Sequence, residues 1–271
     1  MSVEKINYQA YINGRLATVE QLSPLAFAGF AHFTAMQVRD RKVKGLDLHL
    51  SRLHTASMDF FGNVIADEQL KLYMKTAIDN GPEDQSLTVT IFSPSGEFNV
   101  NSMNVEPEVL IRAGAPSNGP NGPLKLAAIN HERPLATIKH VGEVGKTYYL
   151  HQAVRQGFDD AALVDRYGRL SEATIWNLVF WDGENVIWPE AEILDGTMMG
   201  IVKRQLDQLG IPQAHKEVTL AQLDELSGAA VMNSWTPGIS VTTIASKVIP
   251  ESKIFMELLH KAYAAEPAHY L

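Results

Sequence analysis

Four pieces of one stretch decide how the chain is read: Ile138-Lys139-His140, then Lys146-Thr147-Tyr148-Tyr149-Leu150, then Gly157-Phe158-Asp159-Asp160-Ala161-Ala162-Leu163-Val164-Asp165, then Gly168-Arg169-Leu170-Ser171-Glu172-Ala173-Thr174-Ile175-Trp176-Asn177. The pattern predicts a lysine at a strand end, a helix, a short apolar strand, a tight turn and a glutamate heading another strand. Lys139 precedes Gly157 by 18 residues and Glu172 by 33. Taken singly, a lysine is ordinarily solvated surface charge, and a glutamate beside a turn is equally commonplace. A lysine becomes a nucleophile when a rigid element holds it partly buried, where desolvation and nearby cations keep the amine neutral.

Outward from that stretch, composition sets bounds. The 271 residues suffice for two modest domains or one large one. Hydrophobic residues make up 45% and charged residues 20%, which suits a globule with a sizeable core. A formal net charge of −8 leaves no basic excess to displace counterions from nucleic acid. With no cysteine, disulfides, thiolate metal sites and cysteine nucleophiles are excluded, and a reducing cytoplasm is a compatible setting. The opening MSVEKINYQAYINGR lacks a basic segment followed by an apolar one, and no apolar run approaches the roughly 20 residues of a membrane helix. No paired histidines at ligand spacing suggest a metal. The expectation is a cytoplasmic protein that binds neither membrane nor nucleic acid.

In chain order, residues 9–16 predict a hairpin at Asn13-Gly14, and Ala31 to Val43 a second strand pair turning through Arg39-Asp40-Arg41. Helices are expected over about Leu48–Phe61 and Asp67–Asp79, and strands over Ser86–Phe92 and Glu108–Ala113. Residues 113–123 hold three prolines and three glycines, which no helix or strand interior accommodates. The chain is therefore divided into a smaller domain 1–114, a linker 115–123 and a larger domain 124–271. The second half is expected to hold a strand at Leu124–Asn130, a hairpin at Asp182-Gly183, helices near Met199–Leu209 and Ile254–Ala264, and a strand at Ala229–Asn233.

The central stretch resembles the fold-type IV, or class IV, pyridoxal-phosphate enzymes, which include branched-chain and D-amino acid aminotransferases and aminodeoxychorismate lyase. Gly168 to Phe180 is similar to that family's G-x-[VL]-x-E-x-x-x-x-N-[ILV]-[FV]-x pattern, and His49-Leu50-Ser51-Arg52-Leu53 to its H-[LI]-x-R-L. Ile193-Leu194-Asp195-Gly196-Thr197-Met198-Met199 resembles I-L-x-G-[IV]-[TM]-R, with Met198, as the lyases tend to have, where the aminotransferases usually carry Thr, and Met199 where the family usually has Arg. The motifs fall in family order over roughly residues 30–245. The resemblance implies an α/β fold with an N-terminal α/β sandwich and a C-terminal pseudo-barrel, pyridoxal 5′-phosphate between them, and a homodimer. It also implies Lys139 as the catalytic Schiff-base lysine and Glu172 as partner of the pyridine nitrogen. Such a carboxylate keeps that nitrogen protonated and the ring an electron sink. Arg52, Gly196, Thr197, Met198, Asn233 and Ser234 are implied phosphate contacts, some through backbone N–H groups at a helix start. Asn177 is implied as a hydrogen bonder near the site.

Within the family, the resemblance implies an aminotransferase that moves an amino group between an amino acid or amine and a 2-keto acid. The alternative is a lyase of the aminodeoxychorismate type that expels pyruvate. Ile138-Lys139-His140, Met198 and Asn233 lean toward the lyase pattern, whereas its F-T-T-x-R is here Phe33-Thr34-Ala35-Met36-Gln37. Phe33, Ala35, Gln37 and Trp235 are the expected substrate neighbours, with Arg39 and Arg133 as further candidates for the substrate carboxylate. A third reading is a degenerate relative that only binds ligands; the retention of Lys139, Glu172 and Arg52 argues against it.

Overall fold

The computed structural model describes residues 8–98, 100 and 105–271. Residues 1–7, part of the opening read as lacking a leader pattern, lie outside the described residues, as do 99 and 101–104. Contacts divide the chain into two compact units: 1–117 with 138–142 and 267–271, and 118–137 with 143–266. The division at Ser117 falls in the stretch read as a linker. Two short segments assigned from sequence to the second domain, 138–142 and 267–271, instead pair with strands of the first.

The first unit is an antiparallel sheet with helices packed on its buried face. Its strands are β1 (Ala10–Ile12), β2 (Arg15–Leu16), β3 (Ala31–Arg39), β4 (Lys42–Lys44), β5 (Gln85–Phe92) and β6 (Glu108–Gly114). Its helices are the short α1 (Val19–Leu22), α2 (Leu46–Phe61) and α3 (Asp67–Asp79). With the C-terminal strand Ala268–Tyr270, the sheet runs C-terminal strand-β4-β3-β5-β6-β1-β2. The tight turns are where the sequence put them, at Asn13-Gly14 and at Asp40-Arg41, whose positive φ angles are those a two-residue hairpin needs. Along β3 burial alternates: Met36 and Val38 face the core with Leu50, Leu53, Phe61, Leu70 and Met74, whereas Phe33, Ala35, Gln37 and Arg39 share the half-exposed face. Gly62 ends α2 in the left-handed region (φ 62°), its N–H on the Met58 carbonyl at 3.0 Å.

The second unit is a barrel. Its strands are β7 (Leu124–Asn130), β8 (Asp160–Val164), β9 (Leu170–Ala173), β10 (Asn177–Trp181), β11 (Val186–Pro189), β12 (Gln213–Lys216), β13 (Gly228–Asn233), β14 (Thr236–Ile244) and β15 (Lys247–Val248). Its helices are α4 (Val144–Arg155), α5 (Thr197–Gln208) and α6 (Lys253–Ala265). Six strands close in the order β10-β13-β14-β7-β8-β9, and β9 returns to β10 through the single pair Glu172↔Asn177. Leu178, Phe180 and Val231 point into one core cluster, while the alternating Val179, Ala230 and Met232 join α5 and α6 in another. This is the α/β sandwich and pseudo-barrel architecture expected from the sequence. Among the described residues no helix is long and apolar enough to cross a membrane.

Two histidines of the first unit are buried under the sheet. His32 Nε2 lies 2.9 Å from Ser57 Oγ, and His49 Nδ1 lies 2.6 Å from Thr34 Oγ1. Burial lowers His32 to about 4 and His49 to about 3, so both are neutral when folded. As pH falls below the ordinary value near 6.5, the unfolded chain takes up protons that the folded chain refuses until about pH 4 and about pH 3. Stability therefore declines through that window, each histidine adding a slope of up to roughly 1.4 kcal/mol per pH unit. Replacing His49 by Leu together with Thr34 by Val, which leaves no orphaned partner, is expected to flatten the acid limb of the urea midpoint against pH. An unchanged slope would contradict this account.

Candidate functional site

Lys139 is not at a strand end. Residues 134–137 form a turn and Lys139 lies in an irregular segment that returns to β3 through the isolated bridge His32↔His140. β4 covers β3 only at Val38 and Arg39, leaving the edge at Ala31–Phe33 open. The lysine segment fills it: Phe33 N–H donates to the Lys139 carbonyl at 2.8 Å and Val141 N–H to the Ala31 carbonyl at 2.7 Å. The lysine backbone is thus clamped to the sheet on both sides, and Lys139 Nζ lies 4.9 Å from the centre of the Phe33 ring. Gly142 approaches the Gly29 backbone, where an added Cβ would lie 3.2 Å from the Gly29 carbonyl oxygen.

The other expected residues of this unit spread along the half-exposed face of β3. Ala35 lies between Phe33 and Gln37. Gln37 Oε1 accepts from Arg39 Nη1 at 3.0 Å and from Ser117 N–H at 2.8 Å, and Arg39 Nη2 donates to the Ser117 carbonyl at 2.9 Å. Gln37 and Arg39 thereby tie down the chain at Ser117. Arg52 is partly buried on α2, one residue before the core Leu53, and its charge helps depress His49.

In the second unit, Glu172 and Asn177 are direct cross-strand partners, so their side chains leave the same face of the barrel. Asn177 Nδ2 donates to the Leu194 carbonyl at 2.7 Å. Its Oδ1 would lie 1.9 Å from a Cβ on Gly196, so only glycine fits against it. Gly196 is the N-cap of α5, in extended conformation with no side chain capping the helix, and the first intrahelical bond is Gly200 N–H to the Gly196 carbonyl at 2.8 Å. The N–H groups of Thr197 and Met198 therefore lie in the first turn, where a helix has no acceptors of its own and favours an anion. The Met198 and Met199 side chains are buried among Val202, Met232 and Phe255, so the departures from Thr and Arg are taken up as core packing.

The turn between Glu172 and Asn177 is fixed by Asp160. Its carboxylate accepts from Thr174 Oγ1 at 2.6 Å, Trp176 Nε1 at 2.9 Å and Ala161 N–H at 2.6 Å, and burial pushes its pKa up. Asn233, Ser234, Trp235 and Thr236 form the tight turn between β13 and β14, with Asn233 Oδ1 accepting Trp235 N–H at 2.8 Å. Asn233 Nδ2 reaches the Ile175 carbonyl at 3.4 Å, and the Trp235 ring meets Trp176 edge-on at 5.6 Å.

Glu172 is 3% exposed, and its Oε1 accepts from Arg133 Nη1 at 3.0 Å. Burial pushes its carboxyl up, while the charges of Lys146 and Arg133 pull it back. Glu172 and Arg133 line a cavity of about 150 Å³ with Ser171, Asp165, Arg166 and Tyr167. Arg133, read from sequence as a candidate for the substrate carboxylate, is here engaged with Glu172. Neither it nor Glu143, its second partner, could have been found by spacing, since one precedes a proline in a turn and the other caps a helix.

Residues 31–244 match the sequence profile described as amino-transferase class IV. The chain belongs to that family. Membership indicates pyridoxal phosphate as the cofactor, and the residues present suit one: a buried carboxylate beside a polar cavity, an uncapped helix start, and a lysine on a clamped segment. No curated protein sequence matches the class IV chain. Among solved structures, the branched-chain aminotransferase of Thermoproteus uzoniensis with norvaline is similar at 19% identity and a TM-score of 0.83, over 94% of both chains. The branched-chain amino acid aminotransferase of Escherichia coli has 16% identity and a TM-score of 0.83, over 97% of this chain and 95% of that one. A 4-amino-4-deoxychorismate lyase-like protein of Legionella pneumophila has 18% identity and a TM-score of 0.77, over 85% and 89%. At such identities the likeness shows the fold alone.

The contact between Gly196 and Asn177 makes a sharp prediction. Gly196→Ala is expected to destabilise the protein by about 1–3 kcal/mol, through the overpacking of an amide that cannot retreat without losing the Leu194 bond. Adding Asn177→Ala should recover part of that loss in urea unfolding, whereas strictly additive effects would refute the contact.

Proposed function

We propose that this chain is a pyridoxal-phosphate-dependent aminotransferase that moves an amino group between an amino acid or amine and a 2-keto acid. The observation that carries the reading is the pair Glu172–Asn177: one cross-strand contact supplies a buried carboxylate and fixes an uncapped helix start. Pyridoxal phosphate, when bound, supplies an aldehyde that condenses with amines and a ring that accepts the electron pair left when a Cα–H bond breaks. In this reading Glu172 keeps the pyridine nitrogen protonated. The Thr197 and Met198 N–H groups hold the phosphate, together with Gly196, Asn233, Ser234 and the Arg52 guanidinium, whose planar fork suits two phosphate oxygens. Lys139 Nζ would hold the cofactor covalently and, once the substrate amine has displaced it from that link, would serve as the free amine that takes and returns the substrate proton as general base. Phe33, Ala35, Gln37 and Trp235 shape the substrate's surroundings. The protein acts as a homodimer, which light scattering at micromolar concentration tests.

The lyase is the second reading, favoured by Ile138-Lys139-His140, by Met198 with its buried side chain, and by Asn233 at the β13 turn. One set of measurements separates the two. Wild type is expected to show a yellow cofactor band that borohydride traps covalently and that Lys139→Ala lacks. An amino donor without acceptor should bleach the band and release one equivalent of keto acid. Continuous release of pyruvate from aminodeoxychorismate, with no acceptor present, would decide for the lyase. Absence of any band after reconstitution with excess cofactor would overturn both.

A further inference from the structure

A buried arginine is rare unless its charge is answered, and Arg133, whose side chain is 2% exposed, is answered twice. Nη1 donates to Glu172 Oε1 at 3.0 Å and to the Ala136 carbonyl at 2.7 Å. Nε donates to Glu143 Oε1 at 2.8 Å, and Nη2 bonds the same oxygen. The other oxygen of Glu143 accepts from Lys146 Nζ at 2.9 Å. Four charges therefore alternate along one line, Lys146–Glu143–Arg133–Glu172, and sum to zero. Glu172 stands at the inner end, and Lys146 and Glu143 are the more exposed members.

Stability alone does not explain such a line, because a buried ion pair is often no better than well-packed apolar residues of the same volume. A buried carboxylate that must remain charged does need a fixed cation, since burial otherwise favours its neutral form. The Ala136 carbonyl and Glu143 fix the plane of the guanidinium, so the N–H offered to Glu172 has one direction. A guanidinium suits this role where an ammonium would not, because its separate N–H groups serve three acceptors at once. Arg133 and Glu143 also flank residues 134–142, so the same ion pair joins the two ends of the segment that carries Lys139.

We propose that Arg133 is a positioning residue, which, anchored by Glu143 and the Ala136 carbonyl, holds Glu172 ionised and in one orientation to pair with the pyridine nitrogen of the cofactor. This rests on the reading of Glu172 as that partner. It also turns Arg133 away from a substrate carboxylate, because Nε and both hydrogens of Nη1 are already committed.

Two measurements test it on the variants Arg133→Met, Glu172→Gln, the double variant and Arg133→Lys. In urea unfolding without cofactor, the effects of the two single substitutions are expected to be coupled by more than tenfold in the unfolding constant. In titrations with pyridoxal phosphate, Arg133→Met should weaken binding about tenfold and shift the absorbance as Glu172→Gln does. The double variant should add nothing, and Arg133→Lys should restore the absorbance in part. Coupling under twofold, or a wild-type spectrum in Arg133→Met, would overturn the proposal. A wild type that binds no pyridoxal phosphate would overturn the functional reading and the cofactor role of Arg133 with it, while the urea measurement independently reports whether the pair acts as a unit.

Discussion

The six-stranded barrel is closed by one residue pair, Glu172 opposite Asn177, and most of the candidate site depends on that register. Residues directly opposite in an antiparallel pair point to the same face, so closing the barrel here presents a carboxylate and an amide side by side. The amide holds the Leu194 carbonyl and abuts Gly196, which sets where α5 begins. The carboxylate meets the guanidinium of Arg133. A slip of β9 by one residue would turn Glu172 to the opposite face from Asn177, which β13 holds in register. Asp160 guards against the slip by gripping the intervening turn through Thr174 and Trp176.

Charge is handled differently in the two units. Under the first sheet, His32 and His49 are kept neutral by burial, each against a single hydroxyl. In the barrel, the buried Arg133 and Glu172 answer each other as an ion pair, and Glu143 and Lys146 extend the alternation. The first arrangement is inert packing. The second sets a buried carboxylate against a fixed cation, the arrangement that the proposed role of Glu172 calls for.

Family resemblance and local packing together explain why some motif positions tolerate change. Met198 and Met199 stand where a hydroxyl and a guanidinium are usual, yet their side chains fill the core beneath α5, and the backbone N–H groups at the helix start do not depend on them. Gln37 departs from the arginine of the lyase pattern, and Arg39 two residues on shares its face and bonds it. Both side chains engage Ser117, Gln37 Oε1 accepting its N–H and Arg39 donating to its carbonyl. Glu172 and Asn177 thus keep the family pattern where the barrel closes, whereas Gln37 on β3 departs from it.

By itself the sequence determined the elements and the motif. Asn13-Gly14 and Asp40-Arg41 turn where they must because their φ angles are local, and Asp67–Asp79 and Leu124–Asn130 carry their own periodicity and flanking breakers. The spacing from Glu172 to Asn177 was visible as a pattern, but its meaning as the closing pair of a barrel was not. Only the tertiary structure decided that Lys139 lies in an irregular segment clamped to an open edge of β3, because that edge, at Ala31–Phe33, lies far from Lys139 in the sequence. Only it decided that Arg133 belongs to Glu172 and Glu143, 39 and 10 residues away in the chain. Partners of buried charges are chosen by which strands and turns pack together, and no period or spacing in the sequence records that choice.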